Sequence, residues 1–512
     1  MNEALADTIW SVYELSGMYM ADPNPADRQR KVTKYSIPKL VSEALLDTNR
    51  GDPAINSILG DHEPGDILAG RVFAQMMRGQ LLYVTQAGNW MRWDGQRWSG
   101  CQRGEQIAAA KQVGEKILDS AVALFKQDPT RHKKTMAFAT SLQNLKRMEA
   151  MIELAKSEAD MSIGQMAELD SNPWFLGVRN GVVNLRDGGL LTADPKMLIT
   201  RQAAAEYHDD AECPRWLEFL GQIFTGDTDT INYLQRALGY TLTGLTTEEV
   251  LFICYGYGAN GKSVFGNVVS TIMGDYSRAA PASLLTLRRA DDAGARNDLA
   301  MLWGTRRVSI NELQGGDRLD EQVVKQLAGR ETISARFLHK EFFDFTPTAT
   351  PWLRTNHKPI ITGEDDGIWR RLHLIPFNRK FAEHERDPYL ESKLLEERDG
   401  ILTWMVRGCL DWHRQKSLNP SALVRRESAS YRKDSDLLGE FLEDRTQPAA
   451  NQKLEQAELY GAYRSWHEAN GTRAGSKASF TRKLKERGYG ESKSNGKRYY
   501  DGVTVLPPQF PL

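Results

Sequence analysis

Cysteine is scarce in this chain. Four residues, Cys101, Cys213, Cys254 and Cys409, lie far apart with no C-x-x-C pair, so neither a disulfide framework nor a zinc ribbon is expected, and buried reduced thiols are. The nine histidines are scattered without metal-ligand spacing, which argues against a structural zinc site. No run of about eighteen apolar residues offers a membrane span. The opening Met1-Asn-Glu-Ala-Leu-Ala-Asp7 lacks the basic and then apolar order of a secretory signal, so an intracellular protein is expected. An excess of one charge is also missing: 66 Lys and Arg face 67 Asp and Glu, for a net charge of −1. Any polyanionic partner must therefore be held by local basic patches. What is present, 512 residues with 26% charged and 41% hydrophobic, reads as globular and too long for one core, with about three domains as the length prior.

One stretch organises the rest. Gly256-Tyr-Gly258-Ala-Asn260-Gly261-Lys262-Ser263 fits the phosphate-loop pattern G-x-x-x-x-G-K-[ST]. Its flanks fit the required context. Val250 to Tyr255 is a short apolar run suited to a central parallel strand, and Val264, Phe265, Val268, Val269, Ile272 and Met273 recur at helical spacing before a stop at Gly274. Gly256, Gly258 and Gly261 permit close backbone approach, Asn260 sits within the cradle, Lys262 reaches the β/γ-phosphates, and Ser263 offers its hydroxyl to Mg²⁺. The implied ligands are the phosphates of a nucleotide and Mg²⁺.

Two later strand ends suit the same site. Arg306 to Glu312 places polar groups after an apolar segment, and a carboxylate at Glu312 can order the Mg²⁺ shell and orient an attacking water. Trp352-Leu-Arg354-Thr-Asn356 repeats the pattern, with Asn356 a candidate partner of the γ-phosphate or the water. Arg370 and Arg371 open a further strand; a surface cation is the plain reading, a transition-state arginine supplied across a subunit boundary the functional one. Elsewhere, Trp90 to Trp98 reads as a hairpin turned at Asp94-Gly95, its tryptophans expected to pack a small sheet, with base stacking the alternative. Residues 106–159 read as two or more helices, and 180–185 and 189–192 as short strands.

The joint order of these motifs resembles the superfamily 3 helicases, specifically the phage and plasmid primase-helicase family related to the poxvirus primase-helicase. The resemblance spans about residues 75–512. Its carriers are Trp90 to Trp98, Asn180 to Leu185, Gly239-Tyr-Thr-Leu-Thr-Gly244, the phosphate loop, Leu299 to Arg306 with Glu312, Lys325 to Arg330, Thr355-Asn356, and Arg370-Arg371 before Ile375-Pro-Phe377. It implies an AAA+-like P-loop ATPase ring, usually hexameric, that moves 3′–5′ on single-stranded DNA. In it Lys262 and Ser263 bind phosphate and Mg²⁺, Glu312 is the acidic residue, Asn356 the sensor, and Arg370 or Arg371 the arginine acting on a neighbour's ATP, with Arg371 slightly favoured. Many relatives carry two adjacent acidic residues where this chain has Asn311-Glu312, which leaves Mg²⁺ to Ser263, Glu312 and water. The resemblance also places a DNA-gripping hairpin between Lys325 and Pro347, with His339 and Lys340 near its tip.

The expected fold is α/β: a mixed α/β N-terminal region, an AAA+-like P-loop core and a C-terminal winged helix. The expected division is 1–75 of unknown role, 76–220 a family-specific α/β domain, 221–380 the ATPase, 381–435 a helical lid or linker, and 436–512 the winged helix. Lys477, Arg482, Lys483, Lys485, Lys497 and Arg498 lie in a local basic excess suited to a phosphate backbone. Residues 1–75 show no acidic metal pair in a strand context, so priming is expected from a separately encoded primase or polymerase. The expected partners are single-stranded and forked DNA and further copies of the chain, in the cytoplasm of a bacterial host or virus-infected cell. An ATP-switched origin-binding or loader ring is the alternative activity.

Overall fold

The computed structural model describes residues 55, 57–59 and 62–507, apart from 103, 124–128, 288–296, 337–341, 362 and 364–365. Most of the N-terminal region of unknown role, and both His339 and Lys340, lie outside the described residues. The chain forms two compact units, residues 1–171 with 193–200, and residues 172–192 with 201–512. Residues 172–192 and 201–220, grouped from sequence with the preceding region, thus belong to the second unit. No helix among the described residues is long and apolar enough to cross a membrane.

The first unit runs α1 (Asp66–Met77), β1 (Leu81–Val84), β2 (Asn89–Trp93), β3 (Trp98–Gly100), α2 (Glu105–Ala123), α3 (Pro129–Ser141), α4 (Leu145–Ala155) and β4 (Ser162–Ile163). Its sheet has the order β3-β2-β1-β4, antiparallel except for the parallel β1–β4 pair. Trp93 pairs with Trp98 across the turn, where Gly95 takes φ 100°. Trp90 is buried against Phe73 and Tyr83, with ring centroids 6.1 and 5.2 Å away, so these aromatics pack the sheet onto the helices as their β-propensity suggests.

The second unit opens with the antiparallel sheet β5 (Phe175–Val178), β6 (Gly181–Asn184) and β7 (Gly189–Leu191), followed by α5 (Pro214–Ile223) and α6 (Thr228–Thr243). Its centre alternates strands and crossovers: β8 (Leu251–Tyr255), α7 (Lys262–Met273), β9 (Ser277–Ala280), β10 (Arg307–Asn311), α8 (Glu321–Ala328), the antiparallel pair β11 (Ile333–Arg336) and β12 (Phe342–Phe345), then β13 (Thr350–Thr355) and β14 (Leu372–Pro376). Five of these strands form a fully parallel sheet of order β14-β8-β13-β10-β9.

Such a sheet must be covered on both faces, and β8 shows how: Phe252 and Cys254 enter one core, Leu251 and Ile253 the other. The first core is closed by α5, α6, α7 and α10 (Arg398–Gln415), which follows α9 (Leu390–Glu396). Helices α6 and α10 touch backbone to backbone at Gly239, where a Cβ would lie 2.1 Å from the Cys409 nitrogen. Helix α6 ends at Gly244 in the left-handed region (φ 68°), and Arg306 donates to its last-turn Leu242 carbonyl and, at 2.7 Å, to Phe175 O on β5. Helix α11 (Ala422–Asp434) packs on β14, where Ser428 Oγ accepts from Leu374 N at 2.9 Å.

The chain closes with α12 (Leu437–Arg445), β15 (Thr446–Glu455), α13 (Gln456–Ala469), α14 (Lys477–Glu486), β16 (Glu491–Ser494) and β17 (Lys497–Val505), whose strands pair in the order β15-β17-β16 around a small core of Phe441, Leu459, Phe480, Leu484 and Tyr500.

Candidate active site

The loop from Gly256 to Ser263 leaves the carboxyl end of β8 and enters α7, the strand–turn–helix context its pattern requires. Gly256 sits at φ 157°, where a Cβ would lie 2.3 Å from Phe377 O, and Gly261 at φ 84°, wedged against Ile223 and Phe219 of α5. These two positions exclude a side chain. A Cβ on Gly258 meets nothing within 4 Å, so no protein contact demands glycine there. Asn260 is buried and braces the loop: its Nδ2 donates to Phe377 O at 3.0 Å, and its Oδ1 accepts from Lys262 Nζ at 3.2 Å.

Lys262 is only 6% exposed. Its ammonium donates to Gly256 O, Asn260 Oδ1 and, at 3.0 Å, Asn356 Oδ1. All three acceptors are neutral, and burial first, with the Arg354 cation adding, holds the Lys262 pKa below its ordinary value. The same cations surround Cys254 at the end of β8: Arg307, Arg354 and Lys262 each favour its thiolate, yet burial dominates and pushes the thiol up to about 12. Of these groups Lys262 and Arg354 line the cavity, a setting that favours an anionic ligand.

The strand ends deliver the remaining polar groups. Glu312 follows β10 with φ 54°, an unusual dihedral for a glutamate, and its N–H donates to Arg354 O at 2.9 Å. Arg354, the penultimate residue of β13, donates from Nε to Asn311 Oδ1 at 2.9 Å, and from Nη1 to Ser263 O at 2.9 Å and Asn267 Oδ1 at 3.1 Å. Asn356 lies one residue past β13. With the loop residues Gly258 to Ser263, these side chains line one cavity of about 770 Å³. Its other wall is Arg215, Phe219 and Gln222 of α5 and the segment from Phe381 to Leu390. Phe381 is tied to the loop by its N–H, which donates to Ala259 O at 2.8 Å. The volume suits a nucleotide-sized ligand.

The donors are also suited to Mg²⁺. Ser263 and Glu312 supply hard oxygen ligands to the cavity, and no cluster of three or more His, Cys, Asp or Glu side chains occurs among the described residues. Mg²⁺ is typically bound through one or two carboxylates, substrate phosphates and retained water.

The fold thus brings Gly258, Asn260, Gly261, Lys262, Ser263, Glu312 and Asn356 around one cavity, with Gly256 shaping the loop beneath. It does not bring Arg370 and Arg371 there. They precede β14, at the amino end of the sheet, and both donate to Glu249 Oε2, at 2.7 and 2.6 Å. Arg371, favoured from sequence, is the buried member at 11% side-chain exposure; Arg370 is 64% exposed. Far along the chain, Lys477, Arg482 and Lys485 are exposed on α14 and Lys497 and Arg498 on β17, whereas Lys483 is half-buried. Lys497 is paired with Glu455 at 2.7 Å. Sequence reasoning missed Arg354 and Asn267, and the wall formed by Arg215, Phe219 and Phe381. The signal for Arg354 was its place between the apolar Trp352-Leu353 and the sensor-like Asn356.

The chain is similar to two protein families and to several viral proteins. A family described as "D5 N terminal like" matches residues 70–225, and one described as "Poxvirus D5 protein-like" matches residues 433–496. The chain is 28% identical over 329 residues to "Putative helicase L207/L206" of Acanthamoeba polyphaga mimivirus, covering 60% of this chain and 34% of that protein. It is 24% identical over 272 residues to "Putative helicase 022R" of Frog virus 3, covering 50% of this chain and 28% of that one. A "Putative primase" of African swine fever virus is 25% identical over 334 residues, covering 59% of this chain and 34% of that protein. The chain thus spans about a third of the length of these relatives. Among solved structures, the apo C-terminal region of NrS-1 aligns with a TM-score of 0.48 at 10% identity, over 87% of this chain and all of that one.

Proposed function

We propose that this chain is an ATP-hydrolysing DNA helicase of replication, of the superfamily 3 type, working as a ring of identical AAA+ subunits that moves 3′–5′ on single-stranded DNA. The observation that carries the reading is Lys262. A nearly buried ammonium held only by neutral oxygens, at the loop beneath the cavity, is ready to exchange an amide or carbonyl for a phosphate oxygen and gain a charge-assisted bond. The sheet order β14-β8-β13-β10-β9, with the loop on a central strand and polar groups at the carboxyl ends of its neighbours, supports an AAA+ core. The viral relatives named helicase or primase support a replicative role.

In this reading the loop backbone and Lys262 hold the β/γ-phosphates, while Asn356 meets the γ-phosphate once Lys262 releases it. Glu312 orients the attacking water and accepts its proton. Mg²⁺, held by Ser263 and Glu312 through water, would neutralise charge on the phosphates. Arg370, the exposed member of its pair, acts on the ATP of a neighbouring subunit, and Arg371 anchors the segment through Glu249. The hairpin of β11 and β12 supplies the DNA grip inside the ring, with His339 and Lys340, which lie outside the described residues, as its proposed phosphate contacts. The order helix, strand, helix, helix, hairpin from α12 to β17 supports a winged helix, with α14 and the exposed wing residues Lys493, Lys497 and Arg498 meeting the phosphate backbone. A separately encoded primase or polymerase and forked DNA are the proposed partners, in the cytoplasm of the host cell.

The test is Mg²⁺-dependent ATP hydrolysis by the wild type and by Lys262→Ala. Hydrolysis stimulated by single-stranded DNA and abolished by the substitution is expected; a Lys262→Ala protein that hydrolyses ATP at the wild-type rate would remove the proposal.

A further inference from the structure

One polar side chain at the cavity, Arg354, is well connected and left idle by the nucleotide scheme. Arg354 touches three points on two elements with two nitrogens: Nε reaches Asn311 at the end of β10, and Nη1 reaches Ser263 O in the first turn of α7 and Asn267 one turn later. Its backbone carbonyl holds a fourth point, the Glu312 N–H at 2.9 Å. The segment Asn311–Glu312 is thus clamped by one residue through both side chain and main chain, and Glu312 keeps φ 54° in that clamp.

The helix is shaped to admit this arginine. A Cβ at Gly266, in the interior of α7, would fall 2.5 Å from Arg354 Nη1 and 2.6 Å from its Cδ. Glycine inside a helix is destabilising relative to alanine, so its presence where the guanidinium crosses marks a seat. No carboxylate lies within ion-pair distance of Arg354 among the described residues. Its hydrogen-bonding partners are a carbonyl and two asparagine oxygens, which fixes direction without neutralising charge.

We infer that Arg354 is a positioning residue: it sets the Glu312 carboxylate relative to Ser263 and the phosphate loop, and so governs the hydrolytic step more than nucleotide binding. This rests on the hydrolase reading above. Groups that orient active-site ligands from behind typically change activity by about 10–100-fold when removed.

Two variants separate the inference from a packing role. Arg354→Met keeps the aliphatic stem and removes the donors; Gly266→Ala keeps the arginine and pushes its flexible end out of the seat. Both are measured as folded full-length protein for ATP hydrolysis, with ATP affinity read separately by equilibrium binding. The expected result is that kcat falls about 10–100-fold in both, while ATP affinity stays within about threefold. Arg354→Lys is expected not to restore the rate, because one ammonium cannot reproduce a planar fork that reaches β10 and α7 together. Asn311→Ala added to Arg354→Met is expected to cost little more than Arg354→Met alone. Unchanged kcat in both variants beside an active wild type overturns this inference alone. Loss of ATP affinity in proportion to kcat overturns the positioning role by placing Arg354 on the ligand. A wild type without hydrolysis overturns both this inference and the reading it rests on.

Discussion

Replacing Gly239 by alanine adds one methyl group at the crossing of α6 and α10, and the structure leaves it nowhere to go. The new Cβ would stand 2.1 Å from Cys409 N, 2.4 Å from Gly408 C and 2.7 Å from Cys409 Cα. All three are main-chain atoms inside a helix, so no rotamer change relieves the contact. The two helices must separate, and they are already locked by the reciprocal approach of Gly408 to Gln235 O, where a Cβ would lie at 2.1 Å. Overpacking a tight core typically costs 1–3 kcal/mol, and an obstacle made of backbone puts this site at about 3 kcal/mol. Gly221 in α5 is the matched control: a Cβ there meets nothing within 4 Å. Removing that helical glycine is expected to stabilise by about 0.4–1 kcal/mol. Urea unfolding of the two variants beside wild type reads both numbers. A Gly239→Ala protein within about 1 kcal/mol of wild type, or a Gly221→Ala protein destabilised as much as Gly239→Ala, would refute the reasoning.

A second expectation concerns pH. Tyr233 Oη lies 2.6 Å from His373 Nδ1, and burial pulls the His373 pKa down from 6.5 to about 4. The unfolded chain therefore binds this proton first, so stability present above pH 6.5 is lost as pH falls toward about 4. The shift corresponds to about 3 kcal/mol, and His373→Gln should flatten the stability profile between those limits. An unchanged slope in the variant would show that His373 is not the cause. A third expectation separates the paired arginines. Arg370→Ala, at an exposed ion pair, should change urea stability by no more than about 1 kcal/mol, yet lower ATP hydrolysis by about 10³-fold. Arg371→Ala should destabilise the fold by removing the buried partner of Glu249. A fully active Arg370→Ala protein removes that arginine from the chemistry.

The phosphate loop was legible because its chemistry is local. Gly256 and Gly261 stand at fixed places in a short pattern, although the atoms that exclude a Cβ there belong to Phe377 and α5, and the apolar strand and helix flank the loop directly in sequence. Glu312 and Asn356 were legible as polar residues after apolar runs, which is how a parallel sheet delivers side chains to its carboxyl edge. Arg354 was not, because an arginine at a strand end reads as a solvated cation, and its partners Ser263, Asn267 and Asn311 are brought to it only by sheet order. The same holds for Gly239, whose partner Cys409 is remote in sequence. Helix α11 falls within the span expected as a helical lid or linker, but its packing on β14 was not legible, because only Val424 and Tyr431 of its thirteen residues are buried. Strand β15 escaped notice for a different reason. Thr446 to Lys453 shows no apolar alternation, and its pairing with β17 shifts register between Pro448 and Lys453, the kind of irregularity where proline is tolerated.

The central claim is that the cavity around Lys262 drives movement along DNA. Its most direct measurement is strand separation of a forked duplex by the full-length protein with ATP and Mg²⁺, using one substrate with only a 3′ tail and another with only a 5′ tail. Separation of the 3′-tailed fork, lost in Lys262→Ala, is the expected result. ATP hydrolysis without separation of either fork would instead make the chain a nucleotide-switched ring, and separation of the 5′-tailed fork alone would contradict the assigned polarity.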